Sequence, residues 1–181
     1  MSIEGRKRMG RHQWDHFIDG KVLPPASGQY LPSFDPRTGA QAAAVAAGAS
    51  ADVEAAVRAA AVAAANWRAR RPIERGRILL AIAQKIREKS AHLSEIERLE
   101  TGKPAWQAPA EIEMAAQYFE FYGGLVNLFQ GEKIDLGASY HCYTSREPFG
   151  VVGVITPWNA PPQPGGSGRC TGACRGKCCR T

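Results

Sequence analysis

An uninterrupted apolar run at residues 151–155 places the strongest constraint on the fold of this 181-residue sequence. Apart from Gly153 the run is entirely β-branched, and Pro157 ends it. A strand with one wet face alternates apolar and polar residues, whereas a continuous β-branched run is typical of a strand covered on both faces. Because such a strand needs covering layers, the run predicts an α/β fold.

Four helical segments precede this run. Ser50 is predicted as the N-cap of the first helix, which spans about 51–70. Pro72 suits the first turn of a second helix, along which Ile78, Leu79, Ile82 and Ile86 recur at helical spacing and predict a buried stripe. Gly102 fits the residue after a third, shorter helix, and a fourth begins near Gln107.

Two other stretches predict short strands. Asp19-Gly20 lies between apolar residues and is typical of a tight hairpin turn, and turn residues continue to Gly39. Residues 140–146 alternate bulky and polar side chains, as a half-exposed strand does. Residues 1–15 are polar and are predicted to be disordered.

The formal net charge of +6 is concentrated at the two ends of the chain. The basic residues there are Arg6, Lys7, Arg8, Arg11, Arg169, Arg175, Lys177 and Arg180. An anion-binding patch is one interpretation, but the position of the charges favours solvated ends and no nucleic-acid partner. No apolar run reaches the roughly 18–20 residues that span a bilayer, and no secretory signal begins the chain. We therefore expect no membrane association and a cytoplasmic location.

Two motifs are similar to those of aldehyde dehydrogenases. Residues 100–104 read Glu-Thr-Gly-Lys-Pro, and residues 147–159 read Glu-Pro-Phe-Gly-Val-Val-Gly-Val-Ile-Thr-Pro-Trp-Asn. The second is similar to a family signature in both order and spacing. Weaker similarity lies at residues 17–20 and 35–39. On these motifs, residues 16–161 resemble the N-terminal part of an NAD(P)-dependent aldehyde dehydrogenase and its cofactor-binding domain.

The resemblance implies oxidation of an aldehyde to a carboxylate with NAD(P)+. In the family a cysteine thiolate attacks the aldehyde, hydride passes to the nicotinamide, and water activated by a glutamate hydrolyses the thioester. An asparagine amide holds the oxyanion, and it matches Asn159. Ile155, Thr156, Pro157 and Trp158 match residues that line the cofactor cleft, mostly by backbone contact. Without the resemblance, Asn159 is a turn former and Trp158 a core or surface aromatic.

The resemblance also implies the architecture: short strands, four helices, a β-hairpin arm and the first strand of a Rossmann-like sheet. The arm, near residues 132–148, joins the subunits of homo-oligomers in the family. Residues 101–104 are expected to be structural and to form a helix stop and a turn. Glu100 is interpreted as a surface carboxylate, and Cys142 as a packing residue rather than a nucleophile.

The family's nucleophilic cysteine, glutamate base and ribose-binding lysine lie downstream of the segment that this sequence matches. We therefore expect the chain alone to be inactive and not to bind NAD or NADP productively. The alternative is a non-catalytic interaction fragment that pairs with a full-length homologue through its hairpin. An apolar strand without neighbours is also an aggregation hazard.

Residues 162–181 depart from the family pattern and are expected to form a disordered tail. They contain no Val, Ile, Leu, Met, Phe, Tyr or Trp, so they cannot form a buried helix. Cys170, Cys174, Cys178 and Cys179 are candidate metal ligands, but their spacing misses the common Cys-x2-Cys pairs. A one-base shift of the reading frame near Pro161 is the favoured hypothesis.

With permitted synonymous codons, the shifted frame encodes an amphipathic helix, a Gly-Asn stop and a new strand, which resembles how the family continues. We expect the nucleotide sequence beyond the Pro161 codon to carry an open +1 frame with these residues. Sequencing the gene checks this, and an open +1 frame without them would end the hypothesis.

Overall fold

Residues 12–162 are described by a computed structural model, in which a β region, four helices and a smaller β region follow one another. The strands are β1 (His12–Trp14), β2 (His16–Ile18), β3 (Lys21–Leu23), β4 (Tyr30–Phe34), β5 (Gln41–Ala46), β6 (Lys133–Ile134) and β7 (Cys142–Tyr143). The helices are α1 (Ser50–Ala69), α2 (Pro72–Glu88), α3 (Ser90–Thr101) and α4 (Gln107–Gly124). The predicted α/β class and the four helices are confirmed. The cysteine-rich tail and the proposed frame shift lie outside the described residues.

The first hairpin forms at the predicted Asp-Gly turn. Strands β2 and β3 are antiparallel, with Ile18 opposite Lys21. The two turn residues both have positive φ, 53° at Asp19 and 75° at Gly20. This backbone matches the twist of the flanking strands, and Asp-Gly is among the few pairs that adopt it readily.

Strands β1, β5 and β4 form a three-stranded sheet in that order. Strand β4 is antiparallel to β5, and β1 is parallel to β5 on its other side. The prediction that residues 1–15 are disordered is therefore wrong for His12–Trp14. Its partner strand lies about thirty residues further along the chain, and local composition does not reveal such a non-local pairing.

Helix α1 begins one residue earlier than predicted, and an aspartate in its first turn accepts a hydrogen bond from the backbone N–H of the cap residue. Ala49 occupies the cap position and Ser50 is already helical, so the N-cap prediction is wrong. The Asp52 carboxylate accepts hydrogen bonds from the backbone N–H of Ala49 and of Ala26, both at 2.9 Å. The same side chain thus starts the helix and ties it to the preceding turn.

The core lies where α2 packs against α4. Its buried residues are Leu79, Ala83, Ala116, Phe119 and Val126. The buried stripe of α2 is rotated relative to the prediction, because Ala83 is buried whereas Ile82 is exposed. A small residue at position 83 lets the helices approach closely, and bulkier neighbours pack around the contact.

The second β region is smaller than predicted. The predicted strand at 140–146 shrinks to β7, which pairs with β6 in a hairpin of two residues per strand. The prediction of a buried strand at 151–155 is wrong: only Val151 makes a bridge, and Ile155 is 99% exposed. A strand needs backbone partners, and within residues 12–162 none pairs beyond that single bridge.

In the part of the chain that the structure describes, no helix combines the length and the apolar character needed to cross a bilayer.

Replacement of Gly76 by alanine tests the close approach of α2 and α4. A Cβ at this position would lie 2.6 Å from the Gly123 carbonyl oxygen and 2.9 Å from Val126 Cγ2. We expect Gly76→Ala to destabilise the protein by about 1–3 kcal/mol despite the better helix propensity of alanine. Urea denaturation followed by circular dichroism measures this.

Gly124→Ala is the matched control, because nothing lies within 4 Å of a Cβ built there. We expect this variant to be neutral or more stable by up to about 1 kcal/mol. Equal stability of the two alanine variants would contradict the close-packing argument.

Replacement of Asp52 by asparagine tests the cap of α1. The backbone hydrogen bonds from Ala49 and then Ala26 lower the pKa of Asp52 and outweigh the effect of burial, which raises it. A depressed folded pKa stabilises the fold above the ordinary aspartate value, ~4, and this contribution is lost as the pH falls through the folded value. We therefore expect Asp52→Asn to lower the melting temperature at pH 7, by a margin that shrinks as the pH falls towards 3.

Glu54→Gln removes the same charge from the exposed face of the same helix turn, and we expect it to have little effect on melting. A melting difference between the wild type and Asp52→Asn that stays constant with pH would contradict the cap argument.

Candidate functional site

The predicted cofactor and oxyanion residues follow one another along an extended segment that ends in a turn at Trp158 and Asn159. Ile155 is 99% exposed and Trp158 is 85% exposed, whereas Thr156 is half-buried. The side chain of Asn159 is also exposed and makes no hydrogen bond with residues 12–162. The segment therefore presents the side chains of Ile155, Trp158 and Asn159 to any molecule that approaches from solvent.

One buried lysine holds this segment against the helices. Lys103 Nζ donates a hydrogen bond to the backbone carbonyl oxygen of Asn159 at 3.1 Å. It also donates to Glu111 Oε2 at 2.5 Å and to Glu97 Oε1. An ammonium group has three N–H donors, and these three acceptors match that number. Lys103, Glu97 and Glu111 are called the lysine cluster below.

The ends of two helices bring the lysine cluster together. Glu97 lies in the last turns of α3, and Glu111 lies in the first turns of α4. Between them Gly102 adopts φ 71° and its N–H donates to the Arg98 carbonyl oxygen, which ends α3. This left-handed residue reverses the chain direction, so that Lys103 reaches both helices.

The lysine cluster is buried, and Lys103 and Glu111 stabilise each other's charged forms. The exposed fractions of the side chains are 6% for Lys103, 5% for Glu97 and 11% for Glu111. Burial alone lowers the pKa of Lys103, but the hydrogen bonds that it donates to Glu111 and Glu97 outweigh this effect and raise the pKa. Burial alone raises the pKa of Glu111, but Lys103 and Gln107 outweigh it and lower the pKa. Lys103 and Glu111 therefore keep each other charged at neutral pH.

The interpretation of residues 101–104 as structural, with a helix stop and a turn, did not include the burial of Lys103. The stop at Gly102 is confirmed, but Lys103 is buried among charges. A signal was present in α4: Glu111 stands beside Ile112 in the stripe that also buries Ala108 and Ala115. A carboxylate within a buried stripe requires a cationic partner, and the lysine shortly before the helix is the nearest one in sequence.

The described residues offer few other candidates for cofactors or metals. Within residues 12–162 no group of three or more His, Cys, Asp or Glu side chains could hold a metal ion. Cys142 has a free thiol and lies half-buried in β7, which is consistent with the predicted packing role. A cavity of about 370 Å³ lies on α4 between Met114 and Tyr122, and none of the predicted site residues lines it.

The segment from Ile155 to Trp158 is compatible with one wall of a dinucleotide cleft. Its two large apolar side chains are almost fully exposed, and its backbone is not committed to a sheet. Ligand clefts bury most of the surface of a bound molecule, so a second wall is needed. Residues 12–162 do not provide that wall.

The sequence and the fold both match known proteins. Residues 23–164 match the profile described as the aldehyde dehydrogenase family. The chain belongs to this family. The resemblance found in its two motifs is thereby confirmed, and the matched range contains both Lys103 and Asn159.

Individual relatives support the family assignment. A betaine aldehyde dehydrogenase of Brucella ovis is 40% identical over 149 residues, covering 82% of this chain and 30% of the relative. The NAD-dependent aldehyde dehydrogenase of Sinorhizobium meliloti superposes with a TM-score of 0.89 at 30% identity, over 93% of this chain and 34% of that one. PnpE from Pseudomonas sp. WBC-3 gives a TM-score of 0.88 at 32% identity, over 92% and 34% of the two chains.

The structure of PnpE has also been solved in complex with nicotinamide adenine dinucleotide.

The present chain spans about a third of the length of the aldehyde dehydrogenases that it matches.

Proposed function

We propose that this chain supplies the oxyanion-binding amide and one wall of the cofactor cleft to an NAD(P)-dependent aldehyde dehydrogenase. The reaction converts an aldehyde into a carboxylate. Family membership supports this reaction class, as do the NAD-dependent relative from Sinorhizobium meliloti and the NAD complex of PnpE.

The observation that carries the proposal is the combination of an anchored backbone and an accessible side chain at Asn159. Its carbonyl oxygen is held by Lys103 at 3.1 Å, and its side chain is exposed. A side-chain N–H that is held in place before the reaction can stabilise the negative oxygen of a tetrahedral intermediate. Such a preorganised donor contributes roughly 3–4 kcal/mol to transition-state stabilisation.

In this proposal Ile155, Thr156, Pro157 and Trp158 contact the dinucleotide on one side. A bound NAD(P)+ would supply the hydride acceptor for the reaction. Because residues 152–157 form no strand, their backbone N–H and C=O groups remain available for such contacts. The apolar faces of Ile155 and Trp158 suit the burial of a planar ring system.

The isolated 181-residue chain is proposed to be catalytically inactive. Aldehyde oxidation by this route needs a thiolate, a base and a bound nicotinamide in one water-excluding site. In the family, the nucleophile and the base lie downstream of the motif that ends at Asn159. Cys142 lies in β7 of the hairpin and matches neither of them.

A chimera tests the proposed role of Asn159. The part of the Brucella ovis betaine aldehyde dehydrogenase that this chain matches is replaced by residues 12–161. We expect the chimera to reduce NAD+ in the presence of betaine aldehyde, because the relative supplies the remaining groups. Asn159→Ala in the chimera is expected to lower kcat by about 10²–10³-fold, as measured by the appearance of NADH.

The isolated chain serves as the negative control, and size-exclusion chromatography verifies that both chimeras have the same assembly. A correctly assembled chimera with unchanged kcat after Asn159→Ala would refute the oxyanion role. NADH formation by the purified isolated chain would refute its inactivity.

A further inference from the structure

We propose that Lys103 is a positioning residue, which holds the turn at Asn159 in place through the backbone carbonyl of that residue. The proposal rests on the proposed oxyanion role of Asn159 and adds the groups that orient it. Lys103 itself touches neither the aldehyde nor the cofactor in this scheme. It acts on the reaction only through the position of the Asn159 amide.

The first argument is the weak attachment of the segment that carries the site. Residues 152–157 belong to no strand, and the side chains of Ile155 and Trp158 are almost fully exposed. Between Gly150 and Pro162, the bond from Lys103 to Asn159 is the one side-chain hydrogen bond that the described part of the chain shows. The bond joins residues 56 positions apart and connects the segment to the helices.

The second argument is the chemical setting of Lys103. Removing three ionised groups from water costs free energy, and replacing such clusters by apolar side chains is often neutral or stabilising. The burial of these three groups is therefore explained better by the geometry that they impose on their partners than by a gain in the stability of the fold. Two of the three Lys103 donors are fixed by carboxylates on α3 and α4, so the third donor is aimed at Asn159.

The third argument is that the Glu111 carboxylate and the helix turn that carries Glu97 are themselves held. Gln107 Nε2 donates to Glu111 Oε1 at 2.8 Å, which leaves Oε2 for Lys103. Thr101 Oγ1 donates to the Glu97 carbonyl oxygen at 2.6 Å and strengthens the last turn of α3. The Glu111 carboxylate is thus held from two sides, and the helix turn that carries Glu97 is strengthened, as preorganisation requires.

The consequence for Asn159 follows from covalent geometry. Lys103 binds the carbonyl oxygen of Asn159. The carbon of this carbonyl is bonded directly to the Cα that carries the Asn159 side chain. Fixing the plane of this peptide group restricts the backbone dihedral angles at Asn159 and therefore the direction of its Cα–Cβ bond. A displacement of about 1 Å at a reacting group can reduce a rate by about 10²-fold, so a restraint at this position matters.

The first experiment measures the mobility of the turn in the isolated chain. Lys103→Met leaves two buried carboxylates without a counterion, which lowers the stability of the fold. The apolar triple variant, Lys103→Met with Glu97→Leu and Glu111→Leu, removes the hydrogen bond without leaving a buried charge. Lys85→Met is the matched control, because Lys85 pairs with Glu88 at the surface.

Backbone ¹⁵N relaxation by NMR gives the order parameters of these proteins. We expect wild type and Lys85→Met to be rigid at Trp158, Asn159 and Ala160, with values near 0.8. The apolar triple variant should fall below about 0.6 at these residues while α4 stays rigid. Unchanged order at the turn would overturn the proposal. Loss of order throughout α3 and α4 would overturn it too, because the cluster would then support the fold in general.

The second experiment is a double-mutant cycle in the chimera described above. We expect the apolar triple variant to lower kcat by about 10- to 100-fold with little change in the KM for the aldehyde. In the Asn159→Ala background the same substitutions should lower kcat by less than about 2-fold, because the amide through which they act is already missing. Equal losses in both backgrounds would overturn the positioning role. An inactive chimera would refute the proposed function, and the NMR experiment would still decide on the anchor.

Discussion

The packing of α4 against both α2 and α3 is the constraint on which the remaining structure depends. On one side, small residues let α2 approach until Gly76 and Gly123 almost touch, and Leu79 and Phe119 fill the space beside them. On the other side, α4 begins next to the end of α3 and brings Glu111 to the lysine between them. Because α4 is fixed along its length by the apolar contact, the charges at its N-terminal end are held at defined positions. The site segment is then attached to those charges.

Ion pairs serve two different purposes on the same helix. Arg87 of α2 binds Glu113 at 2.9 Å and Glu120 at 2.8 Å on the outer surface of α4. These hydrogen bonds raise the pKa of Arg87, but the groups are solvated, and such surface pairs contribute little to stability. The lysine cluster contains the same kinds of groups in a buried setting, where the desolvation cost is large and the directions of the bonds are fixed. The outer pairs therefore help to hold two helices together, whereas the inner cluster defines a geometry.

The sequence predicted those parts of the fold that local patterns encode. Helix ends at Pro72 and Gly102 and the Asp19-Gly20 turn follow from the backbone preferences of single residues, and they appear where expected. Strand β1 was missed because its partner is distant in the chain, and residues 151–155 were assigned to a strand whose neighbours residues 12–162 do not contain. The Asn159 motif was recognised from its similarity to a family. The burial of Lys103 was not predicted, because its two carboxylate partners lie on different helices that meet only after folding, although Glu111 in a buried stripe indicated the need for a cation.

The unequal charges of the lysine cluster have a consequence for its evolutionary history. One cation faces two anions, so losing one glutamate leaves a neutral pair, whereas losing the lysine leaves two buried negative charges without a partner. The second change costs far more, roughly 3–5 kcal/mol or above. A lineage that abandons the cluster is therefore expected to mutate a carboxylate first and the lysine afterwards. Reconstructed ancestral sequences along such a lineage would contain the lysine with one of its two glutamates, and would seldom contain both glutamates without the lysine.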